Sequence, residues 1–129
     1  MVQIKSITET AFASQVESLL EIYGWRWLHL RPAFSQKGWR VPIRGGDPDG
    51  FKGKGFPDYI AVRPPRLLFA ELKNDKAELA PAQEAWINDL LDCWILGGPS
   101  FNGEIGVPEV YLWRPSQINE VAKILSWWE

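Results

Sequence analysis

The sequence predicts an α/β fold in the order αβββαβα, a central mixed β-sheet flanked by helices, with residues 1–129 forming one domain. Three observations carry this. Residues 6–23 repeat apolar side chains at helical spacing. Two apolar runs of strand length are parted by Pro64 and Pro65. A second helical pattern opens at Pro81. A chain of 129 residues is long enough to bury one sizeable core, and no linker or internal repeat divides it.

In the first helical segment, Phe12, Val16, Leu19, Leu20 and Tyr23 fall on one stripe. Ser6 with Glu9 matches a capping box, which predicts the start, and Gly24 predicts the end. WRWLHL (25–30) reads as the first strand. Residues 31–57, rich in Gly, Pro and basic side chains, follow no period and read as a long loop with room for a short hairpin around 39–43. Loops of this length are uncommon in compact domains and are often functional. DYIAV (58–62) and LLFAELK (67–73) then form an antiparallel hairpin. Proline is favourable in a first helical turn, so Pro81 starts a helix that runs to about residue 95. The Gly- and Pro-containing stretch 97–108 is a loop. VYLW (110–113) is the last strand, and Ser116 is placed to cap a final helix that ends at 126–128.

Composition narrows the class. Cys93 is the only cysteine, so no internal disulfide forms, and this suits a reducing, cytoplasmic (intracellular) setting. No apolar run is long enough to span a bilayer, and MVQIKSITET does not resemble a signal peptide. Eight Trp residues supply large core and interface side chains. Net charge is only -2, but it is unevenly spread. Residues 26–66 hold nine basic side chains against three acidic ones, a local +6, and leave -8 elsewhere. That asymmetry suits a polyanionic partner. Arg40, Arg44, Lys52 and Lys54 in the long loop are the candidate phosphate contacts.

The stretch GFPDYIAVRPPRLLFAELK carries the chemistry. Glu71 and Lys73 lie two apart on a strand, so both side chains leave one face while Leu72 points into the core. Opposite charges on so apolar a strand call for a reason, because unpaired buried charge is costly. The hairpin brings Asp58 beside Glu71. Two converging carboxylates form a hard-oxygen site suited to Mg²⁺ or Mn²⁺. An adjacent lysine can hold the attacking water and offset charge on a phosphorane-like transition state. The competing explanation is a strand-end salt bridge between Lys73 and Glu71 or Asp58. Pro57–Asp58 at hairpin distance favours the site. Gln83 shares the stripe of Trp86, Ile87 and Leu90, and a polar side chain on an inward face needs a partner. His29, the only histidine, reads more simply as a satisfied strand residue than as a catalyst.

Pro57–Asp58 followed by Glu71–Leu72–Lys73 resembles the PD-(D/E)xK signature. The longer string GFPDYIAVRPPRLLFAELKNDKAELAPAQEAW resembles the virus-type replication-repair nuclease (VRR-NUC) family, in particular its stand-alone phage and bacterial versions. The resemblance extends upstream to the Glu9 helix, Gly24–Trp25 and His29, and downstream to VYLWRPS (110–116). It implies a PD-(D/E)xK restriction-endonuclease-like core, metal carboxylates at Asp58 and Glu71, and a catalytic lysine at Lys73. It further implies the Leu72 carbonyl as a metal ligand, a catalytic glutamine at Gln83 and a glutamate on the first helix. Glu9 and Glu17 are both candidates for that glutamate. At about 100° per residue Glu9 lies nearer the middle of the apolar stripe, so Glu9 is preferred as the catalytic and metal-binding residue. The loop 31–54 and the insertion 97–107 are longer than the family pattern.

The resemblance implies a Mg²⁺- or Mn²⁺-dependent DNA endonuclease acting on branched DNA, a four-way junction or flap, in DNA repair. Stand-alone members resemble homodimeric Holliday junction resolvases, and two sites on a two-fold axis suit a symmetric junction. The apolar C-terminal tail offers a dimer surface. The alternative class is a catalytically silent DNA-binding module that retains the fold.

Overall fold

Thr8 starts the first helix. Its hydroxyl accepts the Ala11 N–H at 3.1 Å, and α1 spans Glu9–Ile22. The expected Ser6 cap lies outside the described residues. In this computed structural model those are residues 8–30, 33–35, 38–40, 44–93 and 108–127. Phe12, Val16 and Leu20 are fully buried or nearly so, with Leu19 and Tyr23 packed beside them, as the stripe predicts. Gly24 ends the helix at φ +77°, a conformation that favours glycine. The Trp25 N–H then reaches back to the Leu20 carbonyl at 2.9 Å, which closes the last turn.

The strands are β1 (Arg26–His29), β2 (Ala33–Ser35), β3 (Gly38–Arg40), β4 (Tyr59–Arg63), β5 (Arg66–Leu72) and β6 (Glu109–Trp113). The main sheet has the order β1-β4-β5-β6. Pro64 and Pro65 turn β4 back antiparallel onto β5, with Tyr59 opposite Ala70 and Arg63 opposite Arg66. β6 joins β5 in parallel after the crossover through α2 (Pro81–Leu91), which makes the sheet mixed. β2 and β3 form a separate antiparallel ladder within the long loop, and residues 41–43 of the hairpin expected around 39–43 lie outside the described residues. Ser116 does not cap the last helix. It lies in a 3₁₀ turn (Pro115–Gln117), its N–H bound to Asp75 Oδ1, and α3 runs Ile118–Ser126.

Alternation along the strands separates two faces. Tyr59, Ala61, Leu68, Ala70, Leu72 and Trp113 are buried with Phe12, Val16 and Leu20 of α1 and Val121 and Leu125 of α3. At β5 the other face takes α2, where Phe56 stacks edge-on against both Phe69 and Trp86. α2 ends at Leu91, one turn short of the expected end.

Among the described residues, two of the basic side chains in the 26–66 segment face inward. Arg63 and Arg66 are buried and hold the end of α3. Arg63 donates to the carbonyls of Tyr23 and Leu125 at 2.9 Å and to that of Trp127. Arg66 donates to Glu109 at 2.6 and 2.7 Å and to the carbonyls of Ile124 and Trp127. Both guanidinium groups also lie over the Trp25 ring. Helix carbonyls without intrahelical partners gain donors here, so these two arginines are structural. Trp127 remains 56% exposed with Arg66 over its ring, and Trp128 lies outside the described residues. No described helix is long and apolar enough to cross a membrane.

Candidate functional site

The segment leading into β4 is positioned by glycine. At Gly55 (φ +87°) an added Cβ would sit 2.4 Å from the Ala82 carbonyl carbon, so only glycine lets this turn rest on the start of α2. Upstream, the Asp47 carboxylate accepts the N–H groups of Phe51 at 2.8 Å and Gly53 at 3.1 Å and folds the loop over itself. The hydrogen bond from Gly53 heads the interactions that lower the Asp47 pKa. Residues 44–57 are therefore an organised loop rather than a featureless one. Pro57 is fully buried and delivers Asp58 to the strand end.

Asp58 is pinned from two sides. Its carbonyl accepts the Leu30 N–H at 2.8 Å, and its Oδ2 accepts the Leu72 N–H at 3.0 Å. Glu71 follows Ala70, the partner of Tyr59, and so stands opposite Asp58. Gln83 reaches from the first turn of α2 and donates its Nε2 to Glu71 Oε1 at 2.9 Å. The Gln83 Oε1 accepts the Ala80 N–H, also at 2.9 Å, which fixes the amide so that its donor faces Glu71. This is the partner that an inward-facing glutamine requires.

The second Glu71 oxygen has no such arrangement. Glu71 is 2% exposed, and its Oε2 is buried without a hydrogen-bond partner. Burial first, and then repulsion from Asp58, push the Glu71 pKa up to about 8. Burial also raises Asp58; the Leu72 N–H and the nearby His29 and Lys73 only partly offset this. In both carboxyl groups burial thus disfavours the charged form. An oxygen-only donor set with an orphaned buried oxygen fits Mg²⁺ or Mn²⁺.

Lys73 lies one residue beyond β5, where its N–H donates to the Trp113 carbonyl at 3.0 Å. Strand alternation puts its side chain on the Glu71 side. It forms no ion pair with either carboxylate, and its charge lowers both pKa values only through space. The competing strand-end salt bridge is therefore absent. The Leu72 side chain is buried in the core, and its backbone lies between the two charged neighbours.

Glu9 departs from expectation. It occupies the first helical position of α1 and is exposed, although Phe12 in the same turn is fully buried. Its charge still raises both Asp58 and Glu71, so α1 directs its acidic end toward the pair. Among the described residues, no three carboxylate, histidine or cysteine side chains gather as a group that could hold an ion by themselves. The site is a two-carboxylate core with Glu9 outlying.

Of the four candidate phosphate contacts, Arg44, Lys52 and Lys54 are exposed on the loop before Asp58. Arg40 belongs to β3, and its side chain lies outside the described residues.

Sequence reasoning missed a network behind Asp58. Tyr59 is fully buried, and its hydroxyl donates to Glu17 Oε2 at 2.5 Å. His29 Nδ1 lies 3.1 Å from the same Glu17 oxygen and 2.9 Å from the Tyr59 hydroxyl, and the two rings stack at 4.1 Å. Glu17 is thus bonded to Tyr59 and His29, and His29 is a satisfied strand residue. The available signal was a tyrosine next to Asp58 on the inward phase of a strand. No protein-family model, curated protein or solved structure matches this chain.

Proposed function

We propose that this protein is a divalent-metal-dependent DNA endonuclease with a PD-(D/E)xK core of the VRR-NUC type. The observation that carries this reading is the Asp58–Glu71 pair, with Glu71 Oε2 buried and unpartnered. Asp58 and Glu71 would hold Mg²⁺ or Mn²⁺, with the Leu72 carbonyl implied as a third ligand. When bound, the ion supplies Lewis acidity toward the scissile phosphate and its attacking water.

The chain's own groups supply the rest. Gln83 holds one Glu71 oxygen and leaves the other without a partner among the described residues, and the Leu72 N–H orients Asp58. Lys73, free of an ion pair with either carboxylate, is available to orient water and to offset negative charge developing on the phosphate. Such placed charge is worth about a hundredfold to a thousandfold in rate. Glu9 adds a negative charge at the rim. Arg44, Lys52 and Lys54 contact the DNA backbone, which positions the strand without reading its sequence.

The substrate is branched DNA, and the working unit is a homodimer. One carboxylate–lysine site hydrolyses one strand at a time, so symmetric cutting of a four-way junction needs two copies in fixed relation. The test is cleavage of labelled four-way junctions, flaps and linear duplexes in Mg²⁺, with the solution mass measured alongside. A dimer that cuts junctions on opposing strands is expected. A monomer that trims flaps or ends would overturn the dimer and junction assignments and leave the hydrolytic chemistry standing. Binding without cleavage in any divalent ion would instead indicate the silent DNA-binding module.

A further inference from the structure

Asp58 is fastened through its neighbours as well as through its own side chain. Its carbonyl is held by Leu30, the residue after His29, at the end of β1. His29 pairs with Tyr59 in the β1–β4 register, and Tyr59 follows Asp58 directly. Glu17 reaches both side chains from α1 with a single oxygen, at 2.5 Å from Tyr59 and 3.1 Å from His29. Eight residues earlier the same helix carries Glu9, whose charge acts on Asp58 and Glu71. One network therefore ties three elements together: the helix with the outlying carboxylate, the strand end that anchors the Asp58 backbone, and the strand that begins at Asp58.

The core alone does not demand these groups. Tyr59 is fully buried in the hydrophobic core that includes Phe12, Val16 and Leu20, where phenylalanine would supply the same ring. A hydroxyl there needs a partner, and the chain provides a carboxylate and an imidazole instead of leaving the position apolar. Outer groups that orient metal ligands commonly change metal affinity or activity when removed, without touching the ion themselves.

We propose that Glu17, Tyr59 and His29 are positioning residues. From the opposite face of the sheet they set how α1 and the β1 end stand relative to the Asp58–Glu71 pair, and so set its affinity for a divalent ion. This rests on the proposed metal site but not on the identity of the DNA substrate. Tyr59→Phe removes only the hydroxyl and keeps the ring in the core. Glu17→Gln keeps an acceptor for that hydroxyl, whereas Glu17→Leu does not.

The test is Mn²⁺ binding to the full chain, followed by the spin resonance of the free ion without DNA, together with thermal stability. Tyr59→Phe and Glu17→Leu are expected to weaken Mn²⁺ binding about tenfold, and Glu17→Gln to recover most of that loss. Val121→Ala, in the same core but on α3, serves as the stability control. It should lower the melting temperature while leaving Mn²⁺ affinity at the parent value. Parent-like affinity in Tyr59→Phe and Glu17→Leu would overturn the inference, as would an equal loss in Val121→Ala. A parent chain that binds Mn²⁺ but cleaves no DNA would overturn the nuclease reading alone. A parent that binds no Mn²⁺ would overturn both.

Discussion

β5 carries a buried charge near each end, and the two ends are treated differently. At its start, Arg66 is 7% exposed and fully engaged, with two bonds to Glu109, two to helix carbonyls, and the Trp25 ring against its guanidinium. Near its end, Glu71 is 2% exposed, accepts one bond from Gln83 and leaves Oε2 unpartnered beside a second carboxylate. The Arg66–Glu109 interaction keeps the Glu109 carboxylate below its usual pKa despite burial, whereas Glu71 is driven up to about 8. One end is satisfied by the chain. At the other, one buried carboxylate oxygen has no hydrogen-bond partner among the described residues. Burial of charge is thus a structural device at Arg66 and points to a ligand at Glu71.

The largest expected effect breaks the site and spares the fold. Asp58→Asn and Glu71→Gln should each abolish Mg²⁺-dependent DNA cleavage, and Lys73→Ala should reduce it about a hundredfold or more. Circular dichroism should remain that of the parent. Near-normal turnover by Lys73→Ala at saturating Mg²⁺ would remove lysine from the mechanism.

At the other end of the strand the reverse is expected. Arg66→Ala leaves the half-buried Glu109 without its cation, bonded only to Tyr111, and strips the Ile124 carbonyl of α3 of its donor. It should cost about 3–5 kcal/mol of stability in urea unfolding. A loss below about 1 kcal/mol would show that the pair is dispensable.

The contrast sharpens with pH. The folded-state pKa of Glu71, about 8, lies above its ordinary 4.5, so the metal-free fold favours the protonated carboxyl. That contribution is fully present below about pH 4.5 and is lost as pH rises through 8. Glu71→Gln should therefore stabilise the metal-free protein, increasingly from pH 5 to pH 8. The gain should be about 1–3 kcal/mol, below full conversion at about 1.4 kcal/mol per pKa unit because the rim of the site is screened. A pH-independent difference in melting temperature would contradict the assignment.

The smallest effect on stability belongs to the loop. Reversing Arg44, Lys52 and Lys54 together should weaken DNA binding at low salt and reduce its salt dependence, by up to about 0.9 in log–log slope per lost phosphate contact. Stability should change by less than about 0.5 kcal/mol, since all three side chains are exposed. Parent-like binding would make the loop a bystander.

Local patterns made much of this legible. The Pro64–Pro65 break and the flanking apolar runs foretold the hairpin, and its register set Asp58 against Glu71. The inward stripe of α2 foretold that Gln83 needed a partner, and Glu71 is that partner. What escaped depends on contacts distant in sequence. Arg63 and Arg66 counted as positive charge until the end of α3 was seen to need their donors. Glu9 fitted the helical stripe, yet it is exposed at the first position of α1. The Glu17–Tyr59–His29 network joins residues up to 42 positions apart, and nothing in their local spacing announces it.

The most direct measurement of the central claim is strand cleavage of a labelled four-way junction across a Mg²⁺ titration, with the parent chain and Glu71→Gln compared side by side. The parent should produce strand breaks that rise with Mg²⁺ and vanish in excess chelator, while Glu71→Gln should produce none at any concentration. Cleavage by the parent in excess chelator, or equal cleavage by Glu71→Gln, would contradict a metal-dependent nuclease built on this carboxylate pair.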